Sequence, residues 1–252
     1  MTIIQAIILG SIQGLSEFIP ISSSGHLQIA SELFAIPSSF EIETLLNIGT
    51  LLAAVIYFRK DILAALNPNN NLFKLLVIGS IPLFVGGVLF DLFLKDVLRA
   101  PVITVVMLVS VGWLMVISRP GERNTGSLDI KDSAVIGFSQ VLALIPGTSR
   151  SGITILSAMK RGLSAEAAAR FSFLLSIPAV GGAVVYTALD MFINGELTET
   201  STTVLIAGNI AAFITSLLAI HGMISFLKKY GLQAFGWYRI GLGVILLAVI
   251  II

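Results

Sequence analysis

The chain contains no cysteine, and only 12% of its 252 residues are charged. Without cysteine there is no disulfide, no thiolate nucleophile and no cysteine-ligated metal. With so little charge an ordinary soluble surface, roughly a quarter to a third ionic, cannot be assembled. A net charge of +1 gives no electrostatic case for a nucleic-acid partner. Histidine is scarce, with two copies. The start, 1-MTIIQAIILG-10, lacks the positive region and small-residue cleavage site of a removable secretory leader.

What the chain has in excess is apolar sequence. Hydrophobic residues make up 56% of it, and its mean hydropathy is +0.99. Several runs approach the ~20 residues that cross ~30 Å of hydrocarbon as a helix. The runs are continuous rather than alternating, which predicts helices and not a barrel. Spans are expected at 43–58, 73–94, 101–118, 171–193, 203–227 and 235–252. The polar stretches 67-NPNNN-71, 119-RPGERNTGS-127 and 194-NGELTETSTT-203 connect them. Little chain is left over, so residues 1–252 form one membrane domain with no soluble domain.

Two apolar segments, 1–30 and 134–158, do not fit as simple spans. Each is interrupted by Pro, Gly and hydroxyl residues into pieces too short to cross. Irregular backbone is tolerated at membrane depth only against protein or a wet cavity. Each segment therefore reads as a re-entrant helix pair that returns to its own side. The two are alike: 19-IPISSSGH-26 against 145-IPGTSRSG-152, with Gln13 and Gln140 ahead of the prolines. Pro20 and Pro146 lie 126 residues apart, half the chain, which aligns Ser22 with Thr148 and Ser23 with Ser149. Each half, about 1–126 and 127–252, then holds one pair and three spans. Three is odd, so the second half enters from the opposite face. The expected fold is an all-α integral membrane protein, with six transmembrane helices and two re-entrant pairs in an inverted-topology repeat. A second echo, 80-SIPLFVGG-87 and 176-SIPAVGG-182, has a different offset and does not fit this scheme.

Charge orients the scheme. With the N-terminus on one side, twelve basic residues, Arg239 among them, fall on the opposite side and only Lys95 and Arg99 on the first. Positive residues mark the cytoplasmic face, so both termini are expected to point outward from the cell membrane.

Glu17, His26 and Arg150 lie within the broken segments. Ionisable groups at membrane depth are costly and mark function by default, although an interfacial Glu or His simply reaches water. Arg150 offers a permanently charged fork for phosphate oxygens. Thr148, Ser149 and Ser151 add neutral donors beside it, and Ser22, Ser23, Ser24 and Gly25 repeat that arrangement in the other half. Glu17 can hold a divalent cation or act as a base. His26 can move a proton near neutral pH, and Ser23 or a neighbour is a candidate nucleophile. These residue types point to a midplane anion site suited to phosphate. They leave open whether the phosphate is hydrolysed or carried across the membrane.

At these residues the chain resembles the undecaprenyl-diphosphate phosphatase family of the bacitracin-resistance type. Its first signature is matched by 13-QGLSEFIPISSSGH-26 and its second by 146-PGTSRSG-152. The similarity extends to 171-FSFLLSIP-178 and the Tyr238–Arg239 pair. The resemblance implies a membrane hydrolase that converts a polyprenyl diphosphate to the monophosphate and inorganic phosphate, recycling the lipid carrier of envelope synthesis and conferring bacitracin resistance. It implies a divalent metal, Mg²⁺ or Ca²⁺, a homodimer and an outward-facing site. Carried over, Glu17 binds metal or acts as base, Ser23 is the nucleophile or a positioning hydroxyl, His26 is its acid/base partner, and Arg150 clamps the diphosphate. Position 13 is Gln where many relatives have Glu, so Gln13 is expected to give the metal a neutral oxygen and weaker affinity. Glu43 sits where the family has a Glu and is a candidate supporting residue. The alternative function is a polyprenyl-phosphate transporter that uses the same site. Trp237 and Tyr238 are expected in an aromatic belt, and His221 near the cytoplasmic end of a span.

Overall fold

The computed structural model describes residues 1–37, 39–67, 70–93, 101–194 and 201–251, and these are helical throughout apart from turns and loops. Lys95, Arg99, the last residue of the 73–94 and 235–252 spans and parts of the 67–71 and 194–203 connections lie outside the described residues. The first half comprises α1 (Ile3–Phe18), α2 (Ser23–Leu33), α3 (Phe40–Leu45), α4 (Asn47–Tyr57), α5 (Arg59–Ala65), α6 (Leu72–Phe93) and α7 (Pro101–Val116). The second comprises α8 (Ile130–Val141), α9 (Arg150–Lys160), α10 (Ala165–Asn194), α11 (Thr202–Tyr230) and α12 (Gln233–Ile251).

Local chemistry sets several of these boundaries. Thr2 and Gln5 form a reciprocal capping box at the start of α1, and Asp129 and Asp132 form one at the start of α8. Ser164 Oγ accepts the Ala167 N–H at 3.2 Å, so α10 begins at Ala165, earlier than the expected 171. The added stretch, 165-AEAAAR-170, is built of strong helix formers, and its Glu166 and Arg170 hide it from a hydropathy scan.

Among the described residues four helical stretches are long and apolar enough to cross a membrane: Phe40–Tyr57, Leu72–Phe90, Ala165–Asn194 and Thr202–Tyr230. The expected spans at 43–58, 73–94, 171–193 and 203–227 fall on them. Those at 101–118 and 235–252 fall on shorter apolar helices, Val102–Val116 and Gln233–Ala248. Large apolar side chains cover the outside, with Phe192 71% and Ile193 78% exposed. Such a surface needs lipid as its solvent.

The helices pack in exchanged pairs. α1 lies along α11 and α8 lies along α6; α4 meets α11 as α10 meets α6; α7 pairs with α12. Both long crossings are made on glycine. A Cβ on Gly10 would overlap the carbonyl oxygen of Gly208, and one on Gly137 would overlap that of Gly79. Only a missing side chain lets the backbones come this close.

One polar cluster fastens an end of the bundle. The wholly buried Asp132 receives Arg123 Nη2 and Arg161 Nε, each at 2.7 Å, and Arg123 Nη1 donates to Arg161 O at 2.7 Å. The start of α8 and the end of α9 therefore lie together. Burial opposes the charge on Asp132, but hydrogen bonds from Arg123 and Arg161 outweigh it and hold the carboxyl below its ordinary pKa. The connection before α8 joins the same cluster through Gly121 N to Leu163 O at 2.9 Å. Gln233 Nε2 brings in the start of α12 by donating to Ser118 O at 3.0 Å.

The second echo has a local explanation. Pro82 lies inside α6 and Pro178 inside α10. Ser80 and Ser176, two residues earlier, donate back to Leu76 O at 2.7 Å and Phe173 O at 2.6 Å. The helices meet here, because a Cβ on Gly182 would strike the Phe84 ring. The shared pattern serves two proline-interrupted helices in contact, not the halves of a repeat.

Candidate active site at the two helix breaks

Each break turns on a serine at positive φ, Ser22 at 77° and Ser149 at 68°. This region is costly for any residue with a Cβ, by roughly 1–3 kcal/mol, and persists where the surroundings impose it. Each serine directly precedes a helix, α2 at Ser23 and α9 at Arg150. Ser22 Oγ lies 3.3 Å from Ser24 Oγ, and Ser149 Oγ 3.4 Å from Ser151 Oγ. The two turns thus correspond at a separation of 127, one more than the prolines. This register corrects the proline-based one. It pairs Ser22 with Ser149, Ser23 with Arg150, Gly25 with Gly152 and Gln13 with Gln140. The prolines are the displaced residues, Pro20 two before Ser22 and Pro146 three before Ser149; a 3-10 turn at Leu142–Leu144 lies in the second approach, while α1 runs unbroken to Phe18.

Neither α2 nor α9 has an acidic residue in its first turn. Both helix starts keep their partial positive charge for an anion. Between them sits Glu17, with its side chain 11% exposed. Its Oε1 pairs with Arg150 Nη2 at 2.6 Å. Its Oε2 accepts from Ser23 Oγ and from Gln13 Nε2, each at 3.1 Å. The Gln13 amide also donates to Asn47 Oδ1, which accepts Thr50 Oγ1 at 3.1 Å. The second arm of Arg150 donates through Nη1 to Ser172 O at 3.2 Å. A carboxylate from α1, a hydroxyl from α2, a guanidinium from α9 and a carbonyl from α10 therefore converge.

His26 stands apart from that convergence. Its ring nitrogens meet Ser22 O at 2.8 Å and the Tyr238 hydroxyl at 2.6 Å, whereas Ser23 turns to Glu17. The expected Ser23–His26 pair is not formed. Ser149 caps α9 by accepting Gly152 N–H at 3.2 Å, and Ser151 Oγ donates to Ile19 O at 3.5 Å, tying the second break to the first. Thr148 is fully buried and its hydroxyl has no protein partner. Ser24 is exposed and Gly25 is buried. A Cβ on Gly25 would meet only Ser22 Oγ, at 3.6 Å, so packing does not require glycine there. Glu43 reaches the network through its backbone, whose carbonyl accepts Asn47 Nδ2 at 3.4 Å. His221 is exposed on α11.

Two residues have roles that sequence does not suggest. Arg239 is 0% exposed and is not one of the cytoplasmic surface charges. Its Nη2 donates to Gly147 O at 2.6 Å and Thr148 O at 3.0 Å, and its Nη1 to Pro20 O at 3.4 Å, so one guanidinium holds both breaks. Tyr238, expected only as a belt aromatic, bonds His26. The one available signal is an arginine set six residues into an apolar helix, a costly place that demands partners.

Among the described residues no group of three or more His, Asp or Glu gathers as a metal site. Glu17 and Gln13, one turn apart on α1, still carry a carboxylate and an amide, which here turns its nitrogen to Glu17 and would offer its carbonyl on rotating. Two such oxygen donors suit a hard divalent cation that takes its other ligands from phosphate and water.

A family model described as "Bacitracin resistance protein BacA" matches residues 6–245. Undecaprenyl-diphosphatase 4 of Bacillus thuringiensis subsp. konkukian (strain 97-27) is 39% identical over 259 residues, covering 98% of this chain and 97% of that protein. The undecaprenyl-diphosphatase of Thermodesulfovibrio yellowstonii is 39% identical over 246 residues, covering 96% and 95%. That of Hahella chejuensis is 37% identical over 259 residues, covering 96% of each. The matched stretch takes in both breaks, Ser172 and the Tyr238–Arg239 pair, and the chain belongs to the bacitracin resistance protein BacA family.

Proposed function

We propose that the convergence of Glu17, Ser23 and Arg150 hydrolyses undecaprenyl diphosphate, or a similar polyprenyl diphosphate, to the monophosphate and inorganic phosphate. The activity follows from the family and from relatives named undecaprenyl-diphosphatase. The observation that carries the residue assignment is the bond from Ser23 Oγ to Glu17 Oε2 at 3.1 Å, with Arg150 on the other carboxylate oxygen. Glu17 accepts the Ser23 proton as Oγ attacks the terminal phosphorus. The bond from that phosphorus to the bridging oxygen breaks, and the polyprenyl monophosphate leaves. Water then attacks the phosphoserine as the bond from phosphorus to Ser23 Oγ breaks; Glu17 returns its proton to Oγ, restoring Ser23, and the water's protons leave on the released inorganic phosphate. Arg150 shifts its charge from Glu17 to phosphate oxygens, and the starts of α2 and α9 receive the remaining charge. Ser22, Ser24, Thr148, Ser149 and Ser151 build these two cradles, and Gly25 leaves room at the first.

Glu17 and Gln13 would hold a divalent cation, Mg²⁺ or Ca²⁺, which when bound neutralises diphosphate charge. The carrier alternative draws no support from the relatives, which are named as diphosphatases. Recycling of the lipid carrier, bacitracin resistance and a homodimer are the family's expected setting.

The reading includes six spans, two re-entrant pairs and an inverted repeat of 1–126 and 127–252. Several observations support it. The two positive-φ serines match, the glycine crossings Gly10–Gly208 and Gly137–Gly79 match, and exchanging the halves maps one packing pair onto another. Asp132 joins the two ends of the second pair. Two of the basic residues counted on the cytoplasmic side pair with acidic residues of other helices, Arg170 with Asp61 at 2.7 Å and Lys228 with Glu166 at 3.1 Å. A plasma-membrane location with both termini and the site facing outward completes the reading.

Protein purified in detergent is expected to release inorganic phosphate from a polyprenyl diphosphate, and a chelator to suppress it. A chain that inserts and purifies but releases none would overturn the assignment.

A further inference from the structure

The His26–Ser22 contact fixes a proton, and the Tyr238 hydroxyl completes the pairing of the ring. His26 Nδ1 lies 2.8 Å from the carbonyl oxygen of Ser22, and a carbonyl only accepts, so Nδ1 carries hydrogen. In the neutral ring Nε2 is then an acceptor, and the Tyr238 hydroxyl at 2.6 Å donates to it. The two ring planes lie within 16° of each other. Tyr238 is itself held in place, because the next residue is Arg239, whose buried guanidinium grips the carbonyls of both breaks. Sliding α12 to release the phenol would pull Arg239 from Gly147 and Thr148.

The Ser22 carbonyl is a sensitive place to put a hydrogen bond. Ser22 is the residue at φ 77°, and Ser23, which presents its hydroxyl to Glu17, follows it directly. The carbonyl receives both the His26 ring and the His26 backbone N–H, the latter at 3.3 Å. A ring protonated on Nε2 would turn a lone pair toward that carbonyl and lose the bond.

We infer that Tyr238 is a positioning residue. The Ser22 carbonyl selects the Nδ1–H form of His26, and the Tyr238 hydroxyl, bonded to Nε2, anchors the ring against that carbonyl, which holds the Ser22 turn and so aims Ser23 at Glu17. The inference rests on the diphosphatase reading only in its kinetic arm.

The test uses the scarcity of histidine. The chain has two, His26 and His221. The exposed His221 can be removed as His221→Gln, which leaves one imidazole for ¹⁵N-histidine NMR of the full chain in detergent. His26 is expected as a single Nδ1–H tautomer, and Tyr238→Phe, which frees the ring to leave the Ser22 carbonyl, is expected to give a mixture. The phenylalanine keeps the ring and its packing, so thermal unfolding should be little changed. Phosphate release should lose about tenfold in kcat, the worth of one hydrogen bond, with KM within about twofold. A purely packing role for Tyr238 would leave tautomer and kcat unmoved, and that result overturns the inference. An Nε2–H tautomer in the otherwise unaltered chain overturns it without any Tyr238 variant. If no phosphate is released at all, the functional reading fails, while the tautomer spectra still decide the role of Tyr238.

Discussion

Arg150 uses both arms of its fork, one on Glu17 and one on Ser172 O. Lysine would keep the charge but has a single point of contact and no planar pair of donors. Arg150→Lys is therefore expected to lower kcat/KM for phosphate release by about a hundredfold, the range for losing one well-placed electrostatic donor. Ser23 and Ser24 give a sharper comparison, since they are neighbours with different partners. Ser23 bonds Glu17, while Ser24 is exposed and lies 3.3 Å from Ser22 Oγ. Ser23→Ala should lose about a thousandfold or more in kcat if the hydroxyl attacks phosphorus. Ser24→Ala should stay within a few-fold. Equal losses in the two variants, measured as steady-state phosphate release, would mean that neither hydroxyl is the nucleophile. At this scale the polar residues of the breaks are legible in sequence, because Glu, His and Arg stand out against apolar neighbours. Tyr238 and Arg239 are not. Each fits an ordinary pattern, a belt aromatic and a basic residue near a span end. Their partners lie 212 and 219 residues away, at His26 and Pro20. No local spacing encodes a contact of that kind.

At the scale of elements, the breaks depend on how deeply α1 and α8 are seated. α1 is set against α11 at Gly10, and α8 against α6 at Gly137, each with backbone in contact with backbone. Added methyl groups there cannot be relieved by moving a flexible side chain, because the obstruction is a carbonyl oxygen. Gly10→Ala and Gly137→Ala are each expected to destabilise the protein by about 1–3 kcal/mol or more, although alanine favours an isolated helix by up to about 1 kcal/mol. Gly25→Ala is the control, since its Cβ would have only Ser22 Oγ at 3.6 Å. Thermal unfolding in detergent should fall for the first two and hold for the third, while Gly25→Ala raises KM by filling the first cradle. Unfolding temperatures that do not separate the three variants would contradict the close crossings. The positions of the breaks are legible in sequence, since Pro, Gly and Ser interrupt apolar runs. Their register is not, because the motif match follows Pro20 and Pro146 and the backbone follows Ser22 and Ser149. The prolines stand two and three residues ahead of those serines, and only the backbone shows which landmark marks the turn.

For the whole molecule, topology decides which side of the membrane the diphosphate must be on. Residue 39 precedes Phe40–Tyr57, residue 122 follows α7, and residue 201 precedes α11. Six spans require an odd number of crossings between 39 and 122, and again between 122 and 201. Counting each re-entrant pair as a span would change the parity assigned to the ends of the chain and scatter the basic connections over both faces. The absence of native cysteine makes this measurable with single substitutions. Ser39, Glu122 and Ser201 are exposed, so a thiol placed at any of them can be reached. In right-side-out membrane vesicles an impermeant maleimide should label Ser39→Cys and Ser201→Cys directly, and Glu122→Cys only after the membrane is opened. The converse pattern would keep six spans but turn the molecule over, placing both termini and the first break on the cytoplasmic side. Labelling of Ser39→Cys and Glu122→Cys from the same side would remove a crossing and with it the inverted repeat. The Glu17–Ser23–Arg150 convergence would then need another account of how two breaks, 127 residues apart, come together.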